Sequence, residues 1–293
     1  MSGRSTMKLA KLHGLGNDFL IAQAGETGAA GPSLASFARS ACQRHTGVGA
    51  DGALFFQPTV GDAEADVSAL IYNSDGSRAE MSGNGTRCLA AFLIHSGILH
   101  TPTIRIRTVA GIKVFALRKQ SGRTYVFESL LGRPTTDPAR VPVLVGKGST
   151  ALVGFPLDVG SVTVRVTASS MGNPHCSTFW PDLSQAPVET LGPALEQHYC
   201  FPNRTNVEFV QVLDRHRIRV RFWERGVGPT LASGTGSAAA AVAAILNGFA
   251  ESPITVEVEL GSLLVQWQSP GELSLIGPAE YICSADFSDP TCQ

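Results

Sequence analysis

The sequence predicts an α/β (α+β) protein of two pseudo-symmetric lobes. Three observations carry that expectation. The chain repeats itself at an offset of 151 residues, its β-rich segments are short and outnumber its helices, and 293 residues exceed what one ordinary core organises. In the repeat, Ser82-Gly-Asn-Gly-Thr-Arg87 lies over Ser233-Gly-Thr-Gly-Ser-Ala238. Held without gaps, the same register brings Ala90 onto Ala241, Ile94 onto Ile245 and Gly97 onto Gly248, and backwards it lays Val67–Tyr72 over Ile218–Trp223. A strand, a glycine-rich turn and a serine-capped helix closing at glycine therefore occur twice. Gly16-Asn17 and Gly172-Asn173 form a looser echo. Two copies are too few to stack as a solenoid, so duplicated lobes are expected.

The elements follow in order. Met7–Leu12 and Phe19–Ala22 are β-rich and flank the glycine turn His13–Asp18. Leu34–Cys42 has helical spacing behind a candidate cap at Ser33. Ala53–Gln57, Val67–Tyr72 and Ile104–Val109 are short strands bounded by turn residues, and Thr86–His95 is a helix rich in Ala and Leu. Arg133–Gly148, with its prolines and glycines, reads as a crossing between lobes. The second half has the same make-up, with strands at Thr163–Thr167, Val207–Leu213 and Ile218–Trp223, a helix at Ser237–Asn247, and strands at Ile254–Leu260 and Ser262–Gln268. The expected lobes are 1–131 with 278–293, and 132–277.

Composition narrows the function. A formal net charge of −1 gives no global field for nucleic acid or a membrane surface. The basic residues Arg215-His216-Arg217 and Arg219-Val-Arg221 alternate with apolar ones, as on the wet face of a strand. The longest apolar stretch, Ala238–Leu246, is too short to span a bilayer, and Met1–Leu12 lacks the apolar run of a signal peptide. Six scattered cysteines without a Cys-x-x-Cys pair offer neither a zinc site nor a disulfide framework, so a cytoplasmic protein without a metal is expected.

The repeat has a chemical use. A Gly-x-Gly turn opening a helix leaves backbone N–H groups unpaired at the positive end of the helix dipole, which is an anion cradle. Two such starts facing across a cleft hold one carboxylate from both sides and put Ser82 and Ser233 on opposite faces of the carbon beside it. That arrangement suits a two-base epimerisation, and equally a non-catalytic amino-acid binder. Either turn alone is as readily a structural feature. Gly47-Val-Gly-Ala-Asp-Gly52 matches the dinucleotide fingerprint by letter, but the β-like Ala53–Gln57 follows where a helix is needed, which excludes a Rossmann site.

Several longer motifs resemble a known family. His13-Gly-Leu-Gly-Asn-Asp-Phe19, Tyr72-Asn-Ser-Asp-Gly-Ser77, Met81-Ser-Gly-Asn-Gly-Thr-Arg87, Gly172-Asn-Pro-His175, Arg204-Thr-Asn-Val-Glu208, Trp223-Glu-Arg-Gly-Val-Gly228 and Thr230-Leu-Ala-Ser-Gly-Thr-Gly236 are similar, in order, to those of diaminopimelate epimerases. The resemblance implies a pyridoxal-independent, cofactor-free isomerase of lysine and peptidoglycan precursor synthesis, commonly a homodimer. It implies lobes that each curl a mostly antiparallel sheet around a central helix, with the site in the cleft between them. It further implies that Asn17, Asn73, Asn173, Asn206 and Arg225 grip the distal carboxylate and amine of diaminopimelate. The backbone at Gly83, Asn84, Gly234 and Thr235 cradles the reacting carboxylate, and Glu224 holds the reacting amine. His175 stands beside the first base and Glu224 beside the second.

The sequence departs from the pattern at one pair of positions. The family has cysteine at both bases, whereas Ser82 and Ser233 stand here. A thiol titrates near ~8.5 and lower at a helix N-terminus, but a hydroxyl needs an adjacent base. The dipole's contribution of about 1–2 kcal/mol does not close that gap. Cys88, well inside the helix, reads as a core residue and cannot substitute. Three readings stay open: an epimerase lacking its thiols, a serine form working through relays at His175 and Glu224, or a chain that has left epimerisation as a dehydratase, isomerase or non-catalytic binder.

Overall fold

The computed structural model describes residues 6–25, 34–144 and 152–288. Its contacts divide the chain into one lobe of residues 1–129 with 277–293 and another of 130–276. The first lobe contains β1 (Thr6–Gly14), β2 (Asn17–Gln23), α1 (Leu34–Ala41), β3 (Gly52–Pro58), β4 (Val67–Asn73), β5 (Arg78–Ala79) and α2 (Gly83–His95). These are followed by β6 (Thr103–Thr108), β7 (Gly111–Ser121) and β8 (Thr124–Gly132). The second lobe contains β9 (Phe155–Val159), β10 (Val162–Ser170), β11 (Pro174–Phe179), α3 (Val188–Glu196), β12 (Asn206–Asp214) and β13 (Arg217–Glu224). Then come β14 (Gly228–Thr230), α4 (Gly234–Leu246), β15 (Ile254–Val258) and β16 (Gly261–Trp267). The last strand, β17 (Leu273–Ser288), serves the second lobe with its first residues and the first lobe with the rest.

In the first lobe the pairing runs β1–β2–β3–β4–β6–β7–β8–β17 and returns to β1, a closed ring of strands around α2. The pairs β2–β3 and β4–β6 are parallel. In the second lobe β9–β10–β11–β12–β13–β15–β16–β17 pair in that order around α4, with β11–β12 and β13–β15 parallel. The curled, mostly antiparallel sheet around a central helix is thus present twice.

The central helices show why. Both lie among strands on several sides, so neither has a wet face, and a helix apolar nearly all round is a buried one. On α2, residues 84–91 and Leu93 are buried; on α4, residues 236–244 are. The Ala-rich face of α4 lets strands approach closely, and its alanines are fully shielded. Each helix ends at a glycine in the left-handed region, Gly97 (φ 70°) and Gly248 (φ 72°), which satisfies the last carbonyls.

The structure corrects several local expectations. Both helices begin three residues earlier than predicted, at Gly83 and Gly234, because the serine before each caps the first turn and draws the glycines into it. The segment expected to cross between lobes, Arg133–Gly148, packs as far as it is described into the second lobe. Val141 and Val143 are buried with Leu157 and Phe209, and Thr135 bridges Ser170. Its last residues and the Ser33 cap lie outside the described residues. The helix α3, which contains Gly192 and Pro193, is not among the predicted elements. Glycine is needed there, because a Cβ would sit 2.8 Å from the Trp223 ring. His175, which alone reads as a turn residue, is on β11 opposite Ser169 and Asn206. The basic residues of β13 do face outward, Arg217 pairing with Asp214 and Arg219 with Glu257.

Candidate functional site

In the first lobe the groups converge on the start of α2. Ser82 has extended backbone (φ −140°, ψ 117°), and its Oγ accepts the Gly85 N–H at 3.1 Å. It is an N-cap, and serine is among the best residues for that position. The two glycines of the turn differ. A Cβ on Gly85 would press on Leu54 and Phe19 at 3.1 Å, whereas one on Gly83 would meet nothing within 4 Å. The N–H groups of Gly83 and Asn84, the first two helical residues, have no partner within the helix and stand at its positive end.

Asn84 connects this turn to the hairpin at His13–Asp18. Its Nδ2 donates to Asn17 Oδ1 at 3.2 Å, and Asn17 Nδ2 donates to Asp51 Oδ2 at 2.9 Å. Asp51 and Asp18 share Arg44, at 2.7 and 3.0 Å, and Lys11 lies 3.0 Å from Asp18. Burial pushes the Asp18 carboxyl up, but Arg44 and Lys11 outweigh it and hold it below the usual carboxylate range. The hairpin loop is Leu15-Gly16, both at positive φ (56° and 90°), the pattern of a type I′ turn. Leu15 in the left-handed region is strained, an outlier consistent with a functional turn. Asn73 sits at an exposed turn, its Nδ2 on Ser77 Oγ at 2.9 Å.

Arg87 belongs to one of the family motifs, yet sequence reasoning does not single it out as a site residue. It is 1% exposed, donates through Nε to Pro278 O at 2.9 Å and through Nη2 to Asn84 Oδ1 at 2.6 Å. A Cβ on Gly14 would fall 2.9 Å from its Nη2, which ties the two glycine motifs of this lobe together. The sequence does carry a signal for it: a cation in an apolar helix, at the position where the second copy has Ala238.

In the second lobe Ser233, 5% exposed, caps α4 and accepts the Gly236 N–H at 3.2 Å. It lies near the Glu224 carboxyl, which accepts Thr230 Oγ–H at 2.6 Å. Burial pushes Glu224 up, only partly opposed by Thr230, His175 and Ser233. Gly234 and Thr235 are half-buried, like Gly83 in the other copy.

Beside these, His175 is wholly buried between two partners: Nδ1 lies 2.6 Å from Glu208 Oε1 and Nε2 lies 3.1 Å from Asn173 Oδ1. Asn173 follows Gly172 (φ 101°) in the β10–β11 turn, as Asn17 follows Gly16 in the β1–β2 turn. Asn206 is a brace, donating to Pro174 O at 2.9 Å and accepting Arg225 N–H at 3.0 Å. Arg225 is exposed, with Nη1 on Asn203 O at 3.1 Å. Cys88 is fully buried and its thiol is pushed up to about 12, so it is core and not a base. Among the described residues no cluster of His, Cys, Asp and Glu could hold a metal ion, and no helix is long and apolar enough to cross a membrane.

Each lobe thus has a serine-capped, glycine-rich helix start and an Asn behind a glycine turn. Comparison with known proteins bears on their use. The family profile described as diaminopimelate epimerase matches residues 9–136 and 167–282. A diaminopimelate epimerase of Pelotomaculum thermopropionicum is 41% identical over 281 residues, 96% of this chain and 99% of its own. One from Moorella thermoacetica is 41% identical over 283 residues, again 96% and 99%. Among solved structures, a hydroxyproline epimerase of Agrobacterium vitis aligns with TM-score 0.69 at 15% identity, covering 99% of this chain and 95% of that one. A PhzF-family protein of Bacillus anthracis aligns with TM-score 0.66 at 14% identity, covering 96% and 99%. The two structures share the fold.

Proposed function

The chain belongs to the diaminopimelate epimerase family, and from that premise we propose that it acts on diaminopimelate, exchanging the proton at one Cα to interconvert the LL and meso forms. The observation that carries this is the duplicated helix start, with each copy placing a serine hydroxyl at the head of a glycine-rich first turn. Inversion at carbon needs one group to take the proton and another to return it from the far face, and two equivalent caps supply two such groups. We assign Ser82 and Ser233 to these roles. Gly83, Asn84, Gly234 and Thr235 hold the reacting carboxylate by their backbone. Asn17, Asn73, Asn173, Asn206 and Arg225 take the distal carboxylate and amine. Arginine suits a carboxylate through its planar fork.

Glu224 has two tasks in this reading, binding the reacting amine and accepting from Ser233. An adjacent carboxyl is what a hydroxyl needs to act as a base. His175 is assigned to the Ser82 half-reaction. The reaction requires no cofactor, and the protein works in the cytoplasm as a homodimer.

A second reading rests on the caps themselves. Both hydroxyls accept a helix N–H, and both are weak acids, which favours a chain that binds diaminopimelate without turnover. One experiment separates the two: LL-diaminopimelate in D₂O, with the Cα proton followed by NMR, for the unmodified chain and for Ser82→Cys/Ser233→Cys. Exchange by the unmodified chain supports serine catalysis. Exchange by the double-cysteine variant alone supports an epimerase scaffold lacking thiols. Exchange by neither, with no binding, overturns the proposal.

A further inference from the structure

The proposed site leaves a deeply buried carboxyl group unused. Glu208 lies on β12, is 1% exposed, and is placed by the parallel β11–β12 register, which sets it opposite Ser177 and sets Asn206 opposite His175. Both its oxygens are engaged: Oε1 is 2.6 Å from His175 Nδ1, and Oε2 accepts Ser177 Oγ at 2.9 Å. A carboxylate this deep is retained only when its hydrogen bonds are complete. The next link is His175 Nε2 on Asn173 Oδ1 at 3.1 Å. Ser177, Glu208, His175 and Asn173 thus form a single file from the core to a half-buried residue at the β10–β11 turn.

We propose that Glu208 is a positioning residue that acts on ligand recognition through His175, fixing a proton on Nε2 and so turning the Asn173 carboxamide with its NH₂ group toward the ligand. The reasoning is proton bookkeeping within the file. With Nδ1 against a carboxyl oxygen and Nε2 against a carboxamide oxygen, the dyad needs two protons. If Glu208 is ionised, both are on the ring. If Glu208 is protonated, its own proton bridges to Nδ1 and the ring's proton is on Nε2. Either way Nε2–H donates to Asn173 Oδ1, and the Nδ2 hydrogens remain for an acceptor, such as the oxygen of a carboxylate. Burial pushes Glu208 up, partly opposed by its hydrogen bonds to His175 and Ser177. The other titratable groups facing the pair are Glu224 on β13 and Cys176 on β11.

The inference rests on the proposed ligand, so its test has a readout without one. In the full chain carrying ¹⁵N-histidine, the His175 ring, assigned by its loss in His175→Gln, shows a protected proton on Nε2 and a second in the hydrogen bond between Nδ1 and Glu208. In Glu208→Gln it shows one, because a carboxamide neither supplies nor balances the second. Diaminopimelate binding, measured by calorimetry, weakens about tenfold in Glu208→Gln, the scale of one charge-assisted hydrogen bond. Glu208→Asp restores neither if the reach to Nδ1 matters, and it controls for charge alone. Absence of a protected proton on Nε2 in the unmodified chain, or two ring protons in Glu208→Gln with binding within twofold, overturns the inference. Failure of the unmodified chain to bind diaminopimelate counts against the proposed function and leaves the proton count to decide this one.

Discussion

Two alanine substitutions in equivalent turns are expected to act in opposite ways. At Gly83 a Cβ meets nothing within 4 Å, and the residue is already helical, so Gly83→Ala stabilises the first lobe by about 0.5–1 kcal/mol through reduced freedom of the unfolded chain. At Gly236 the Cβ would lie 2.9 and 3.0 Å from the Phe222 ring and 3.1 Å from Ser233 Cβ. Phe222 is 2% exposed and cannot swing away. Overpacking of this kind costs about 1–3 kcal/mol, and the same gain in helix preference offsets part of it, leaving a net loss of about 0.5–2 kcal/mol. Binding reverses the order of interest. The methyl at Gly83 stands on the open face of the cradle, so the stabilised variant loses diaminopimelate affinity by roughly tenfold or more. Urea unfolding and calorimetry measure both. All three tryptophans, Trp180, Trp223 and Trp267, lie in the second lobe, so fluorescence reports Gly236→Ala, and circular dichroism follows Gly83→Ala. If Gly236→Ala is neutral, the packing argument fails. If Gly83→Ala binds normally, the cradle assignment fails.

Other outcomes follow from the same geometry. Arg87→Ala strips Asn84 Oδ1 and Pro278 O of buried partners and leaves a void, and is expected to cost about 3–5 kcal/mol in unfolding experiments; a loss under about 1 kcal/mol contradicts its role as the anchor of that turn. Glu224 has a raised folded pKa, so its contribution is present at low pH and is lost as pH rises through that value. The stability of Glu224→Gln relative to the unmodified chain should therefore increase between pH 5 and 8, and a flat or falling difference in urea midpoints refutes the burial argument. Ser233→Ala removes an N-cap, with an expected cost of about 1 kcal/mol, whereas Ser233→Thr keeps most of it. Equal melting of all three chains contradicts the capping role.

Much of this protein was determined locally. Two serine-glycine-x-glycine turns before Ala-rich runs fix two capped helices, and the helix spans observed, Gly83–His95 and Gly234–Leu246, keep the repeat's offset at both ends. Cap preference, left-handed glycine and alternation act over a few residues, so they are legible in order along the chain. Cys88 was legible as core for the same reason, lying on the helix's own buried stripe.

The rest needed three dimensions. Arg87 joins Pro278, 191 residues away, and His175 joins Glu208 across a parallel strand pair. No spacing rule announces a partner that distant. The helix α3 was not predicted, and the need for Gly192 in it shows only when Trp223 is seen against it. The crossing segment read as a linker because its prolines and glycines hide two valines whose burial depends on β9 and β12. Sequence alone nominated the candidate site residues. Tertiary structure decided which of them are held and by what, because burial and long-range hydrogen bonds are properties of the packed chain.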